Sequence, residues 1–121
     1  MAIIYCPTRS WISAGANHLR DSAALTSLLQ NQKGQGKPYA AICAAPAVVL
    51  AGQSLLDEDA TCYPAPQFRE KLSKPSDDLV VVSGRLTTSQ GPGTALLFAL
   101  ELGEQLFGKE QRDIIQKQML V

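Results

Sequence analysis

Short apolar runs punctuate the chain and give the first indication of its secondary structure. Three of them have the length of buried strands and are bounded by proline, glycine or polar residues; they cover residues 2–6, 39–43 and 61–63. Two further runs, 79–83 and 85–88, lie on either side of Gly84 and predict a β-hairpin. The pattern therefore predicts short strands distributed along most of the chain.

Apolar residues at helical spacing occupy the segments between these runs. Leucines between Asp21, a candidate N-cap, and Gly34 predict one helix. Over residues 95–106 the apolar positions follow a helical periodicity closely, and Gly108 is placed to end that helix. Further helices are predicted over residues 44–52, 67–73 and 110–118, and a loop over residues 8–16. Strands that alternate with helices are typical of an α/β domain with a mainly parallel sheet.

Composition narrows the class of protein without naming an activity. The chain has 121 residues, 45% apolar and 18% charged, which suits a single domain over residues 1–121. Its 11 Lys and Arg balance 11 Asp and Glu, so we expect no nucleic-acid partner. No apolar run reaches the roughly 18 residues of a membrane span, and a secretory signal is not evident. We therefore expect a cytoplasmic protein with no membrane partner.

The cysteine count and the glycine-rich turn argue against bound cofactors. Three cysteines, without paired spacing, do not suggest a disulfide framework, and His18 is the only histidine that a metal site could use. The turn Gly91-Pro92-Gly93 lacks the third glycine of a dinucleotide loop, because Leu96 stands there, and it lacks the Gly-Lys pair of a phosphate loop. We expect neither a metal ion nor an organic cofactor.

Cys43 is the strongest candidate for chemistry. It ends an apolar strand, and a predicted helix begins at once with Ala44, Ala45 and Pro46. A side chain on such a turn projects above the sheet, as in a nucleophile elbow, and the free N–H groups of the helix favour a thiolate. A buried structural cysteine fits the same pattern, since free cysteine often behaves as a small hydrophobe. The pattern alone leaves both interpretations open.

Other polar residues follow strands at the edge where α/β sheets bind ligands. Thr88, Ser89 and Gln90 would place hydroxyl and amide groups there, and the candidates for substrate binding are Ser89, Gln90, Gly91 and Pro92. Tyr63 and Cys62 end the third predicted strand, and Cys62 is either a resolving thiol or, more simply, a packed residue. His18 is either a base for Cys43 or a residue without a catalytic role. Cys6 is interpreted as packed, and Trp11 receives no function.

Five segments, in chain order, together resemble the DJ-1/PfpI family, and most closely its bacterial branch. They are GANHLRDS (15–22), AAICAAP (40–46), TCYP (61–64), LTTSQGPGT (86–94) and FALELGEQLFGKE (98–110). Each segment alone is weak, but the ordered set is specific, and the match extends from about residue 15 to residue 121.

The resemblance implies a flavodoxin-like three-layer α/β sandwich that forms a homodimer or a higher self-association. Cys43 would be the family's reactive cysteine, readily oxidised to a sulfinate, and the Ala44 N–H would stabilise the oxyanion. The activities implied are cofactor-free glyoxalase or deglycase chemistry on a small reactive carbonyl or glycated substrate, together with thiol redox sensing and chaperone activity in oxidative stress.

The sequence departs from the family pattern in three places. The N-terminal β-α-β portion, which carries the family's glutamate, has no counterpart before residue 15. Pro7-Thr8-Arg9 stands where the family has a Pro-Gly-Gly turn, and Tyr63 stands where many relatives have histidine, which makes its phenol a candidate hydrogen-bond partner. The alternative function is therefore that of a catalytically impaired, truncated relative that acts as a binding or self-assembling module.

Overall fold

The computed structural model describes residues 1–4 and 12–121. The first predicted strand is represented by β1 (Ala2–Ile4). Several sequence predictions lie outside the described residues: the end of that strand with Cys6, the Pro7-Thr8-Arg9 turn and Trp11.

A mixed, mostly parallel sheet is the centre of the fold. It contains β1, β2 (Tyr39–Ile42), β3 (Val80–Ser83) and β4 (Leu86–Ser89), in the order β1-β2-β4-β3. β2 is parallel to both of its neighbours, whereas β3 and β4 are antiparallel. The predicted hairpin is confirmed, and Gly84 adopts the positive φ of 60° that its tight turn requires.

Helical elements pack on both faces of this sheet. They are α1 (Ile12–Arg20), α2 (Ala23–Gly34), α3 (Pro66–Arg69), α4 (Ala95–Phe107) and α5 (Lys109–Gln118), with a π-helical turn at Pro46–Leu50 and 3-10 turns at Ala51–Gln53 and Pro92–Thr94. On one face Ala41 packs in a core that includes Ala16 of α1 and Leu29 of α2. On the other face Ile42 packs with Phe98 of α4. The alternation of side chains along β2 thus separates two cores, and the predicted α/β class is confirmed.

The segment before the first predicted helix is itself helical. The sequence pattern predicts a loop over residues 8–16, but α1 begins at Ile12. The cap of the next helix also differs from the prediction. Ser22 rather than Asp21 caps α2, and its hydroxyl accepts a bond from the Leu25 N–H at 3.3 Å. Asp21 pairs with Arg20 instead, at 2.8 Å.

The third predicted strand is wrong, because residues 61–63 join no ladder of the sheet. Two hydrogen bonds to residues distant in sequence, one to a side chain and one to a backbone carbonyl, hold this segment instead. The Thr61 N–H donates to Thr88 Oγ1 at 3.0 Å, and the Tyr63 N–H donates to the Cys43 carbonyl at 2.7 Å. Two predicted helices differ in form. Residues 44–52 become the π-helical turn followed by a 3-10 turn, and residues 67–73 shorten to α3.

Candidate functional site

Cys43 occupies a strained turn between β2 and the π-helical turn. Its φ is 68°, a value that only two other described non-glycine residues approach. Such a conformation costs on the order of 1–3 kcal/mol and persists only where the surroundings impose it. Two backbone bonds impose it here: the Cys43 N–H donates to the Ser89 carbonyl at 3.0 Å, and the Cys43 carbonyl accepts from Tyr63. The strand-to-helix elbow that the sequence predicts is therefore present.

The thiol lies within a small apolar cluster. Cys43 is only 1% exposed and packs with Ile42, Phe98 and Leu102, while Tyr63 contacts the same cluster. Ala44 and Ala45 follow at once and are fully buried, which lets the backbone after the elbow pass close to the sheet. Ala44, the predicted oxyanion donor, is therefore the first residue after the thiol and belongs to the same buried turn.

The register of the sheet brings the second group of candidates beside Cys43. β2 and β4 run in the same direction with Ile42 opposite Ser89, so Cys43 and Gln90 leave the sheet side by side at one edge. A cavity of about 190 Å³ opens at this edge, lined by Tyr63, Pro64 and residues 90–94. Gln90, Gly91 and Pro92 thus line a pocket, as predicted for substrate-binding residues, although their role stays a prediction. Cys43 and Ser89 are not among its lining residues.

Ser89 stabilises the turn at residues 91–94 through hydrogen bonds of its side chain. It is fully buried, and its hydroxyl donates to the Leu79 carbonyl at 2.7 Å. The same oxygen lies 2.6 Å from Thr94 Oγ1, which in turn accepts a bond from the Gly91 N–H at 3.0 Å. Its hydroxyl is thus bound within the protein, which favours a positioning role over contact with a substrate.

Thr94 and Gly93 are pocket residues that the sequence reasoning missed. Thr94 stands three residues after Gly91 and its hydroxyl reaches back to the Gly91 N–H, but glycine has no side chain to complete a capping box, so the sequence carries no capping-box signal here. The threonine hydroxyl fixes the shape of the turn that begins α4.

Tyr63 forms the aromatic wall of the pocket. Its ring packs edge-on against Phe68, with centroids 6.3 Å apart and planes at 84°. A β-carbon at Gly91 would lie 3.6 Å from the Tyr63 ring, so the ring stands directly against that turn. Tyr63 is linked to Cys43 by the backbone bond described above; a hydrogen bond from its phenol to the thiol stays a prediction.

The remaining candidates lie in settings that favour structural roles. Cys62 is fully buried, and its S–H donates to the Tyr63 carbonyl at 3.4 Å. Burial raises the pKa of the Cys62 thiol to about 11, which leaves little thiolate for a resolving reaction at neutral pH. His18 is an exposed residue of α1, near enough to Asp21 to help lower the pKa of that carboxyl.

The described ranges hold neither a cluster of metal ligands nor a membrane-spanning helix. No group of three or more His, Cys, Asp or Glu side chains in residues 1–4 and 12–121 is arranged to hold a metal ion. None of the helices in that part of the chain is both long and apolar enough to cross a bilayer.

Comparison with known proteins places this architecture in one family. The model of the DJ-1/PfpI family matches residues 13–105. Protein dj-1beta of Drosophila melanogaster is 40% identical over 109 residues, which cover 88% of this chain and 58% of that protein. A glutathione-independent glyoxalase of Caenorhabditis elegans is 37% identical over 85% of this chain and 56% of its own length. The chain thus spans little more than half the length of these relatives.

The structural comparison gives the same answer. The oxidized DJ-1 of Toxoplasma gondii superimposes with a TM-score of 0.81 at 46% identity, covering 87% of this chain and 58% of that one. The fold is therefore flavodoxin-like, with a sheet between helical layers, and this chain covers 58% of that relative. The chain belongs to the DJ-1/PfpI family.

Proposed function

We propose that this chain is a cysteine protein that acts on small reactive carbonyls, in glyoxalase- or deglycase-type chemistry, with Cys43 as the nucleophile. The observation that carries the proposal is the positive φ of Cys43 at the elbow, imposed by backbone bonds from two other segments. Strain of this kind clusters at functional sites, and a structural cysteine needs none of it. The similarity to a relative named as a glutathione-independent glyoxalase supports the substrate class.

The proposed reaction on an α-oxoaldehyde proceeds through a covalent adduct. The Cys43 thiolate adds to the aldehyde carbon, a C–S bond forms, and the carbonyl electron pair moves to oxygen, where the Ala44 N–H stabilises the negative charge. A proton then moves from the former aldehyde carbon to the neighbouring carbon, which converts the adduct into a thioester of a hydroxy acid. Water cleaves the thioester and returns the thiol, so no external oxidant or reductant is consumed.

The decisive test is lactate formation from methylglyoxal by the wild-type chain and two variants. We expect Cys43→Ser to abolish turnover and Cys62→Ser, the matched buried control, to retain most of it. Turnover that survives Cys43→Ser would refute Cys43 as the nucleophile.

The same elbow suits the redox function that the family resemblance implies. Peroxide would oxidise the Cys43 thiolate first to a sulfenate and then to a sulfinate, with water released at each step. One solved relative, the DJ-1 of Toxoplasma gondii, is in an oxidized form. Mass spectrometry of the peroxide-treated protein should locate the two added oxygen atoms on Cys43 and leave Cys62 reduced.

The alternative function, that of a binding or self-assembling module, rests on a different surface. An apolar groove of about 200 Å³ lies between the edge strand β1 and α4, with Ile3, Ile42, Phe98 and Leu102 among its lining residues. Ile3 is 54% exposed there. No described residue covers this apolar surface next to the sheet edge, and such a surface favours association. Light scattering tests the alternative, which predicts oligomers and would be contradicted by a monodisperse monomer.

A further inference from the structure

The side chain of Gln90 is held in one orientation by the backbone of a neighbouring loop. Its Nε2 donates to the carbonyl oxygens of Asp77, at 3.0 Å, and Asp78, at 3.2 Å. The two carbonyls identify the nitrogen end of the amide, because an oxygen in that place would be repelled by both. Both N–H bonds of the amide are therefore used, and Oε1 remains as its acceptor.

The loop that holds Gln90 is itself anchored. Arg69 pairs with the Asp77 carboxylate at 2.9 Å and donates to the Ser76 carbonyl at 3.2 Å. The Ser76 hydroxyl bonds to the Asp78 carboxylate at 3.0 Å. The carbonyls that orient Gln90 thus belong to a segment fixed from α3, and the amide orientation does not depend on a loose loop.

Gln90 also lines the pocket beside Cys43, next to the aromatic wall of Tyr63. Among the described residues none donates a hydrogen bond to Gln90 Oε1. A side chain that lines a pocket, with its donors already bound and its acceptor unused, is suited to accept a hydrogen bond from a ligand.

We propose that Gln90 is a specificity-determining residue that selects carbonyl substrates with a hydrogen-bond donor near the reacting aldehyde. The inference rests on the proposed function and narrows its substrate class to hydroxylated α-oxoaldehydes over alkyl ones. In this proposal Cys43, which lies beside the pocket without lining it, holds the aldehyde carbon, and Gln90, its neighbour at the strand ends, accepts the bond from the substrate hydroxyl. A substrate without that hydroxyl forgoes this hydrogen bond.

The test compares two substrates that differ only in the group Gln90 would contact. Hydroxypyruvaldehyde carries a hydroxyl where methylglyoxal carries hydrogen on its methyl carbon. We expect the wild type to favour hydroxypyruvaldehyde in kcat/KM by about fivefold to tenfold, the effect of one neutral hydrogen bond. Gln90→Met, which has no comparable acceptor, should remove this preference, while Gln111→Met on the exposed face of α5 should keep it.

A second variant separates recognition from support of the loop. The ammonium of Gln90→Lys can still donate to the Asp77 and Asp78 carbonyls, but it has no acceptor. If Gln90 only supports the loop, the lysine variant should behave as the wild type. The proposal requires that it lose the preference for the hydroxylated substrate, as the methionine variant does.

A reaction that needs no turnover keeps this test independent of the proposed activity. Chloroacetamide and chloroacetone both alkylate a thiol with loss of chloride, and they differ in carrying an NH₂ donor or a methyl group. The alkylation rate of each reagent at Cys43 is divided by its rate with N-acetylcysteine. This normalised rate should be higher for chloroacetamide than for chloroacetone in the wild type, and the two normalised rates should be equal in Gln90→Met. If neither aldehyde is turned over but the alkylation rates follow this pattern, the glyoxalase reaction is refuted and the role of Gln90 is not. Equal ratios in the wild type and both Gln90 variants would overturn the role of Gln90.

Discussion

At the scale of single residues, two cysteines, and two polar residues adjacent in sequence, lie in different settings. Cys43 and Cys62 are both buried, but Cys43 sits on a strained elbow at the strand ends, whereas Cys62 has no positive φ and donates its S–H to the Tyr63 carbonyl. Gln90 and Ser89 are adjacent in sequence, yet one lines the pocket and the other holds its floor. Residue type alone therefore identifies the candidates, and their backbone bonds distinguish their settings.

The buried Cys62 thiol should lower the free energy of unfolding at alkaline pH. Burial raises the pKa of its thiol from 9.0 to about 11, so the folded state keeps a proton that the unfolded state releases. The stabilisation is fully present below pH 9 and is lost as the pH rises toward 11, at a cost of about 2–3 kcal/mol. Urea unfolding from pH 8 to 11 should show a smaller loss in Cys62→Ala than in the wild type. Parallel curves would contradict this assignment.

At the scale of elements, the turn between β4 and α4 is the part of the site with the most internal support. Thr94, Ser89 and Gly91 are joined by buried hydrogen bonds that set the pocket floor. The turn lies beside Cys43 because the parallel register of β2 and β4 brings both strand ends to one edge. The pocket therefore depends on the pairing of β2 with β4 as well as on the sequence of residues 90–94.

Thr94→Val should loosen this turn while keeping the volume of the side chain. The variant leaves the buried Gly91 N–H without its acceptor, which should lower the free energy of unfolding by about 1–3 kcal/mol. Thr26→Val on α2, where the hydroxyl is partly exposed, serves as the control and should cost less. Urea unfolding compares the two variants. An equal loss in both would show that the Thr94 hydroxyl has no special part in the turn.

At the scale of the whole molecule, the two faces of the sheet are covered unequally. α1, α2 and the π-helical turn contribute to the larger core, while α4 covers the other face and leaves the groove over β1. Parallel sheets are ordinarily covered on both faces. Within the described residues this groove therefore leaves part of the sheet and of α4 uncovered.

A charge in the groove should weaken any self-association that uses it. Ala99 lies on the groove side of α4 and is exposed, so Ala99→Glu introduces a carboxylate without displacing a buried residue. We expect light scattering to show smaller oligomers for Ala99→Glu than for the wild type, at a similar unfolding midpoint. Gln111→Glu on α5 is the matched control for added charge. Identical oligomer distributions for Ala99→Glu and the wild type would exclude the groove as the interface.

The amino-acid sequence by itself determined the features that depend on neighbours along the chain. The hairpin around Gly84, the long apolar helix α4 and the strand-to-helix turn at Cys43 all follow from local patterns of apolar residues, glycine and proline. The five ordered motifs also carry the resemblance to the family without any tertiary information.

Only the tertiary structure decided the features that depend on residues distant in sequence. Residues 61–63 resemble a strand, but Thr88 and Cys43 take up their backbone donors, so no ladder forms. The orientation of Gln90 depends on carbonyls twelve or more residues away along the chain. Hydrogen-bond partners of this kind leave no periodic signal in the sequence, because their choice is settled when separate segments pack together.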